Sequence, residues 1–295
     1  MKVALIANPY SGGKKGEKLL PVVKKKLSSN HIEYHTYISL YHEHILEIAS
    51  KLNINQYDAI VAMGGDGTNF HVLNGLLSAF KPEIIPPISI IPVGSGNSFA
   101  KDLNIHTIED GIRAIVENNS KWIDVCSFTQ GKKKYYFVNL SGLGFVTDVA
   151  QTAQKFKFFK DFSYIIGVFY RTVTLNFHHM ELELDEKKIS AENCFVVFCN
   201  SCFTGGNMLM APEAEIDDGL MDIIIAGKLS RTSLLATLPK IYKGTHIHHP
   251  AVRYIKAKKA KIKTWPTKTL LPDGEIFGAT PTIVTVHHKM IRYLT

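Results

Sequence analysis

Four short apolar runs divide the first hundred residues, at 2–8 (KVALIAN), 32–38, 58–63 and 88–93, and each is followed by a stretch of helix-type sequence. The first precedes a lysine-rich amphipathic stretch, the second HEHILEIASKL, the third FHVLNGLLSAF, and the fourth a helical segment near 107–117. This βαβα order requires a parallel sheet with helices on its faces. In such a sheet, the turns that leave the carboxyl ends of strands gather helix N-termini and free backbone N–H groups at one crevice, which favours anions.

Three of those turns are built from small residues: Asn8-Pro9-Tyr10-Ser11-Gly12-Gly13, Gly64-Gly65-Asp66-Gly67-Thr68 and Gly94-Ser95-Gly96-Asn97. Glycine lets a ligand approach the backbone closely, and Ser11, Thr68, Ser95 and Asn97 add neutral donors suited to phosphate oxygens. One such turn alone could be a tight βα connection; three together favour phosphate binding. Neither the Gly-x-x-x-x-Gly-Lys-Ser/Thr loop nor a Gly-x-Gly-x-x-Gly closing the first strand is present, so P-loop and dinucleotide readings lose support. Asp66 carries the chemistry. A carboxylate beside a polyphosphate is repelled unless a divalent cation lies between them or it accepts a proton from an attacking hydroxyl, and either role implies phosphoryl transfer.

From about residue 122 the pattern becomes mainly β, with helix-type interruptions near 148–173 and 231–243, and reads as an antiparallel sandwich. The 295 residues suffice for two domains. Cys126, Cys194, Cys199 and Cys202 make no disulfide framework, the N-terminal MKVALIANP reads as a strand rather than a signal peptide, and no apolar run reaches membrane-spanning length. These features predict a cytoplasmic protein. A net charge of +8 favours anionic partners without choosing among nucleotides, an anionic leaflet and nucleic acid. Residues 155–173, KFKFFKDFSYIIGVFYRTV, mix aromatics with Lys155, Lys157, Lys160 and Arg171 and suit either a lipid interface or a buried core helix. Cys199 and Cys202 have redox-type spacing without a second pair, His246, His248 and His249 lack accompanying ligands, and the run from Lys256 to Lys263 alternates as a half-exposed strand should. No recognition motif supports nucleic-acid binding.

The three turns, together with Val72-Leu73-Asn74-Gly75-Leu76, Asp217-Asp218-Gly219-Leu220-Met221-Asp222 and Pro272-Asp273-Gly274-Glu275, resemble the diacylglycerol kinase catalytic-domain family, which includes bacterial lipid kinases, sphingosine kinases and ceramide kinases. The resemblance covers nearly the whole chain. It implies an α/β plus all-β architecture: a doubly wound α/β ATP-binding domain at 1–122, an antiparallel β-sandwich lipid-substrate domain at 123–280, and a segment at 281–295 returning to the first domain. The active site would lie in the cleft between the two domains. ATP is then held by Asn8, Pro9, Tyr10, Ser11, Gly12, Ser39, Gly64, Gly65, Asp66, Gly67, Thr68, Gly94, Ser95, Gly96 and Asn97. Asp66, Asp273 and Glu275 form the catalytic group, with Glu275 at the position of a base and Asp66 sharing with it the task of receiving the hydroxyl proton; Asp148 reads the lipid head group; and Asp218, with backbone carbonyls near Glu215 and Leu220, matches a Mg²⁺ site. Two positions depart from the pattern: His71 stands where members commonly carry glutamate, and Ser98 where many bacterial members carry aspartate, which thins the acidic network around magnesium.

The sequence therefore reads as an ATP- and Mg²⁺-dependent lipid kinase, acting on diacylglycerol or a sphingoid-like acceptor presented at a membrane surface, peripherally associated and without a nucleic-acid partner. A homodimer stays open. The rival readings are an NAD kinase-like phosphotransferase and a non-catalytic lipid- or nucleotide-binding module.

Overall fold

The computed structural model describes residues 1–155, 163–185 and 187–295. β1 (Lys2–Ala7), α1 (Ser11–Ser29), β2 (Glu33–Ile38), α2 (His44–Ser50), β3 (Ala59–Gly64), α3 (Asp66–Ala79), β4 (Ile88–Pro92), α4 (Ser98–Asp102) and α5 (Ile108–Glu117) alternate as the apolar periodicity predicts. β3 and β4 are buried along their whole length, as strands between two helix layers must be, whereas β2 is half exposed and forms the sheet edge. α5 begins at a capping box in which Thr107 and Asp110 satisfy each other's backbone N–H. The strands are parallel in the order β2-β1-β3-β4. Strand order reverses between β1 and β3, so the turns leaving those two strands face each other where open α/β sheets bind ligands.

The second half contains β5 (Ser120–Gln130), β6 (Lys133–Phe137), β7 (Leu140–Gly144), α6 (Phe145–Lys155), α7 (Ser163–Val173), β8 (His178–Leu184), β9 (Lys187–Asn193) and β10 (Phe195–Cys199). A small hairpin of β11 (Phe203–Thr204) and β12 (Met208–Leu209) follows, then β13 (Met221–Ala226), α8 (Arg231–Ile241), β14 (Val252–Ala257), β15 (Lys259–Trp265), β16 (Leu270–Pro272) and β17 (Thr282–Leu294). One sheet, β14-β13-β10-β7-β16, packs against β5, β6, β8, β15 and β17 through Phe128, Phe137, Met180, Leu182, Val196, Phe198, Ile223 and Ile262. On its other face Phe195, Val197 and Ile224 meet α6 and α8. Burial on both faces explains why CFVVFCN and LMDIIIAG are continuous apolar runs rather than alternating ones.

β17 joins the halves. It pairs antiparallel with β15 and β5 and places Tyr293 beside Ile88 of β4, so the sandwich strands continue the N-terminal sheet. The fully buried Tyr293 donates its hydroxyl to Asn69 Oδ1 at 3.0 Å.

Two sequence readings change in detail. The basic run 256–263 is not one strand, because the chain passes at Lys258 from β14 in one sheet to β15 in the other. Of the aromatic and basic run at 155–173, residues 156–162 lie outside the described residues. α7 covers 163–173 and leaves Phe169, Tyr170 and Val173 exposed.

His178 is 1% exposed and neither ring nitrogen has a hydrogen-bond partner among the described residues. Burial lowers its pKa from 6.5 to about 4. The unfolded chain then binds the extra proton first, so stability falls as pH drops from 6.5 towards 4. This one residue should contribute a loss of about 3 kcal/mol over that window. Urea denaturation of the parent and His178→Met at both ends of the window checks it; the same acid loss in the two proteins would contradict the assignment.

Candidate active site

The turns after β1 and β3 are tied together by side chains. Asn8 Nδ2 donates to Thr68 Oγ1 at 3.1 Å, and the Ser11 and Thr68 hydroxyls lie 3.4 Å apart. Gly12, Gly13 and Lys14 have φ of 59°, 68° and 73°, so the chain enters α1 through a left-handed bend that turns its amides towards the same space. The turn after β4 closes on that after β3 so tightly that a Cβ on Gly94 would overlap Gly65 Cα. Asn97 was expected to offer its amide to phosphate. Instead its Oδ1 accepts Gly94 N–H at 2.9 Å and its Nδ2 donates to Gly94 O at 2.9 Å, so the amide closes the turn.

These turns line a polar cleft of about 410 Å³. Asn8, Tyr10, Ser11, Gly12, Gly65, Gly67, Thr68, Gly94, Ser95 and Glu275 of the predicted set reach it, together with Tyr41, His42 and His71. Pro9, Ser39, Gly64, Asp66, Gly96 and Asn97 do not line it. Ser39 is buried at the end of β2, its N–H bonded to Ala7 O.

Asp66 opens α3, yet its carboxylate is turned to the next turn: Oδ2 accepts Ser98 N–H at 3.0 Å and Oδ1 accepts Phe99 N–H at 3.1 Å. It caps α4 from outside that helix. Burial pushes its pKa up while the two amide donors pull it down. The geometry makes Asp66 an anchor of the turn that follows β4. Ser98 in turn accepts Gly206 N–H at 3.1 Å, and Lys101 Nζ donates to Gly206 O at 2.6 Å and to Asn207 Oδ1, which fastens the β11–β12 hairpin to α4.

Asp273 and Glu275 are near neighbours in sequence with different surroundings. Asp273 is 4% exposed, and its carboxylate accepts N–H from Val138 at 3.1 Å, Asn139 at 2.9 Å and Leu140 at 3.1 Å. Burial raises its pKa to about 8 although the three amides favour the charged form. Asp273 and Gly274 both have left-handed φ, 46° and 89°, and this bend brings Glu275 into the cleft. Glu275 lies over the start of α3, where a Cβ on Gly67 would overlap its Oε1. Its Oε2 is 3.2 Å from His42 Nε2. His71 closes the group from α3, its ring edge-on to that of His42 at 4.9 Å between centroids. Burial lowers the pKa of His71.

The other side of the same turn borders a second cavity, apolar and about 440 Å³, which Gly274 lines with Leu140, Phe145, Val149, Phe195, Met208 and Leu271. Val168 of α7 and Tyr242 reach it too. Asp148 is not among the lining residues; its carboxylate faces Lys268 Nζ at 3.7 Å.

Of the residues implied for Mg²⁺, Asp218 pairs with an ammonium group. Asp218 Oδ1 accepts Leu220 N–H at 2.9 Å, Oδ2 pairs with Lys256 Nζ at 3.1 Å, and the same Nζ donates to Glu213 O at 3.1 Å. The one carboxylate of that set is thus paired with a lysine. Cys199 is buried, Cys202 Sγ donates to Ala214 O, and His246 is buried against Met210 O.

Residues 2–128 match the family described as Diacylglycerol kinase catalytic domain, and residues 121–295 match the YegS C-terminal NAD kinase beta sandwich-like domain. Fold and cleft together thus define a kinase of the two-domain, α/β plus β-sandwich class. The chain is 31% identical over 285 residues to a diacylglycerol kinase of Staphylococcus saprophyticus, covering 95% of this chain and 90% of that one. It is 25% identical to sphingosine kinase 1 of Arabidopsis thaliana, covering 87% of this chain and 63% of the relative. A crystal structure of a diacylglycerol kinase from Bacillus anthracis shares the fold with a TM-score of 0.74 at 21% identity, covering 99% of this chain and 96% of that one. The chain belongs to the diacylglycerol kinase catalytic-domain family.

Proposed function

We propose that the protein is an ATP-dependent lipid kinase that transfers the γ-phosphoryl group to the hydroxyl of a lipid, either diacylglycerol or a sphingoid-like acceptor. The observation that carries this reading is the Asp273-Gly274-Glu275 turn. Glu275 lines the polar, glycine-walled cleft while Gly274, the residue before it, lines the apolar cavity. A donor in the first and an acyl chain in the second would bring phosphate and hydroxyl together at Glu275.

The nucleotide phosphates lie against the backbone amides of the three turns, with the Thr68, Ser11 and Ser95 hydroxyls as donors. Mg²⁺, if held by the nucleotide's phosphate oxygens, would supply neutralisation of part of the phosphate charge. The acceptor oxygen forms the new bond to γ-phosphorus as the bond to the β-phosphate oxygen breaks, and the hydroxyl proton passes to the Glu275 carboxylate. ADP and the lipid phosphate leave. Asp66 positions the 94–97 turn rather than receiving the proton. Exposed Phe169, Tyr170 and Val173 on α7, beside Val168 at the cavity, support loading from a membrane surface. Among the described residues, no helix is long and apolar enough to cross a membrane.

The test is transfer of labelled γ-phosphate to diacylglycerol, a sphingoid base, monoacylglycerol and NAD. Labelled lipid is expected. Labelled NAD alone would favour the NAD kinase-like reading, and ATP binding without any product would favour a non-catalytic module. Ala150→Trp, which fills the apolar cavity from α6, should lower lipid kcat/KM by about tenfold or more and leave ATP affinity unchanged. Undiminished lipid use in that variant would remove the cavity from the acceptor site.

A further inference from the structure

His71 is 8% exposed, and neither of its ring nitrogens has a hydrogen-bond partner among the described residues. A buried imidazole with both nitrogens unsatisfied is costly, and such groups in native proteins call for an ion, a water or a chemical role. One ligand atom each of His42, His71 and Glu275 lie within 4.8 Å of one another. We infer that these three residues form a binding site for a late first-row transition-metal dication such as Zn²⁺ or Co²⁺.

The chemistry of the donors selects the ion. Imidazole nitrogen suits Zn²⁺ and the other late first-row dications, Co²⁺ among them, and is a poor ligand for Mg²⁺, which prefers an oxygen shell. Two histidines and one carboxylate, with a position left open, form a donor set familiar from zinc enzymes. Ligands on a tetrahedral ion at about 2.0–2.1 Å stand about 3.3 Å apart, and Glu275 Oε2 is already 3.2 Å from His42 Nε2. The His42 side chain is 70% exposed, which leaves it free to turn and close the remaining span. Glu275 Oε2 faces His42, while Oε1 remains above Gly67. The open position borders the cleft walled by Gly65, Gly67 and Ser95.

Binding requires neither nucleotide nor lipid, so the inference stands apart from the kinase reading. The metal-free protein is titrated with Co²⁺ in the absence of both. One equivalent should bind with the visible d–d absorption of a nitrogen and carboxylate site, without a thiolate charge-transfer band; Zn²⁺ should displace it and excess Mg²⁺ should not. His42→Asn and His71→Gln should each weaken Co²⁺ binding by about tenfold or more. His42 is exposed, so His42→Asn carries the test if His71→Gln fails to fold, with circular dichroism and melting confirming the fold. Absence of stoichiometric Co²⁺ binding, undiminished binding in His42→Asn, or displacement by Mg²⁺ at equal concentration would each overturn the assignment.

Discussion

Asp273→Ala is expected to destabilise the protein by about 3–5 kcal/mol. The alanine leaves the buried N–H groups of Val138, Asn139 and Leu140 without an acceptor, and burial prevents water from replacing the carboxylate. Each orphaned donor costs about 1–3 kcal/mol, and partial relaxation keeps the sum below the simple total. For a domain with about 5–15 kcal/mol of stability the loss is severe. Asp273→Asn keeps one oxygen and should cost clearly less. Chemical denaturation of the three proteins gives the comparison. A loss below about 1 kcal/mol in Asp273→Ala would mean that the three amide contacts do not hold the turn.

Glu275→Gln should lower kcat for phosphoryl transfer by about 10²–10⁴-fold, the usual contribution of a positioned proton acceptor. Glutamine keeps the size and the place over Gly67 but cannot take the hydroxyl proton. ATP affinity, set mainly by the backbone of the turns, should change only a few-fold. Single-turnover measurements at saturating ATP and lipid separate the chemical step from binding. Transfer within tenfold of the parent would falsify the proton-acceptor role. Gly67→Ala supplies an independent route to the same residue, because its Cβ would displace the carboxylate without changing its chemistry.

The two variants also show what could be read from the chain and what could not. Parallel β1, β3 and β4 and the turns leaving them were legible because strand period, glycine content and the βα alternation are local signals. The roles of the carboxylates were less so. Residue type and motif place Asp66, Asp273 and Glu275 together, but the partners of their carboxylates come from residues 98–99, 138–140 and 42, and from nothing near them in sequence. Two left-handed backbone angles decide that Asp273 points into the protein and Glu275 into the cleft. Asn97 shows the same limit on a smaller scale, since a donor suited to phosphate is consumed by Gly94 in its own turn. Lys256 reaches Asp218 from another strand, a pairing that the acidic motif alone does not reveal. His71 was visible as a departure from family pattern; its neighbours His42 and Glu275 were brought to it only by folding.

The shared strand β17 limits how freely the chain can be divided. The two family matches overlap at residues 121–128, inside β5, as though the protein were two modules joined there. In the fold, β5 is hydrogen-bonded along most of its length to β17, which the chain supplies about 150 residues later. An N-terminal fragment ending at that boundary would expose the open edge of a long apolar strand, an invitation to pair with any other free edge. The halves are therefore separable as sequence families but interdependent as folding units, and exchanging one between relatives means transplanting β17 with the half that it completes.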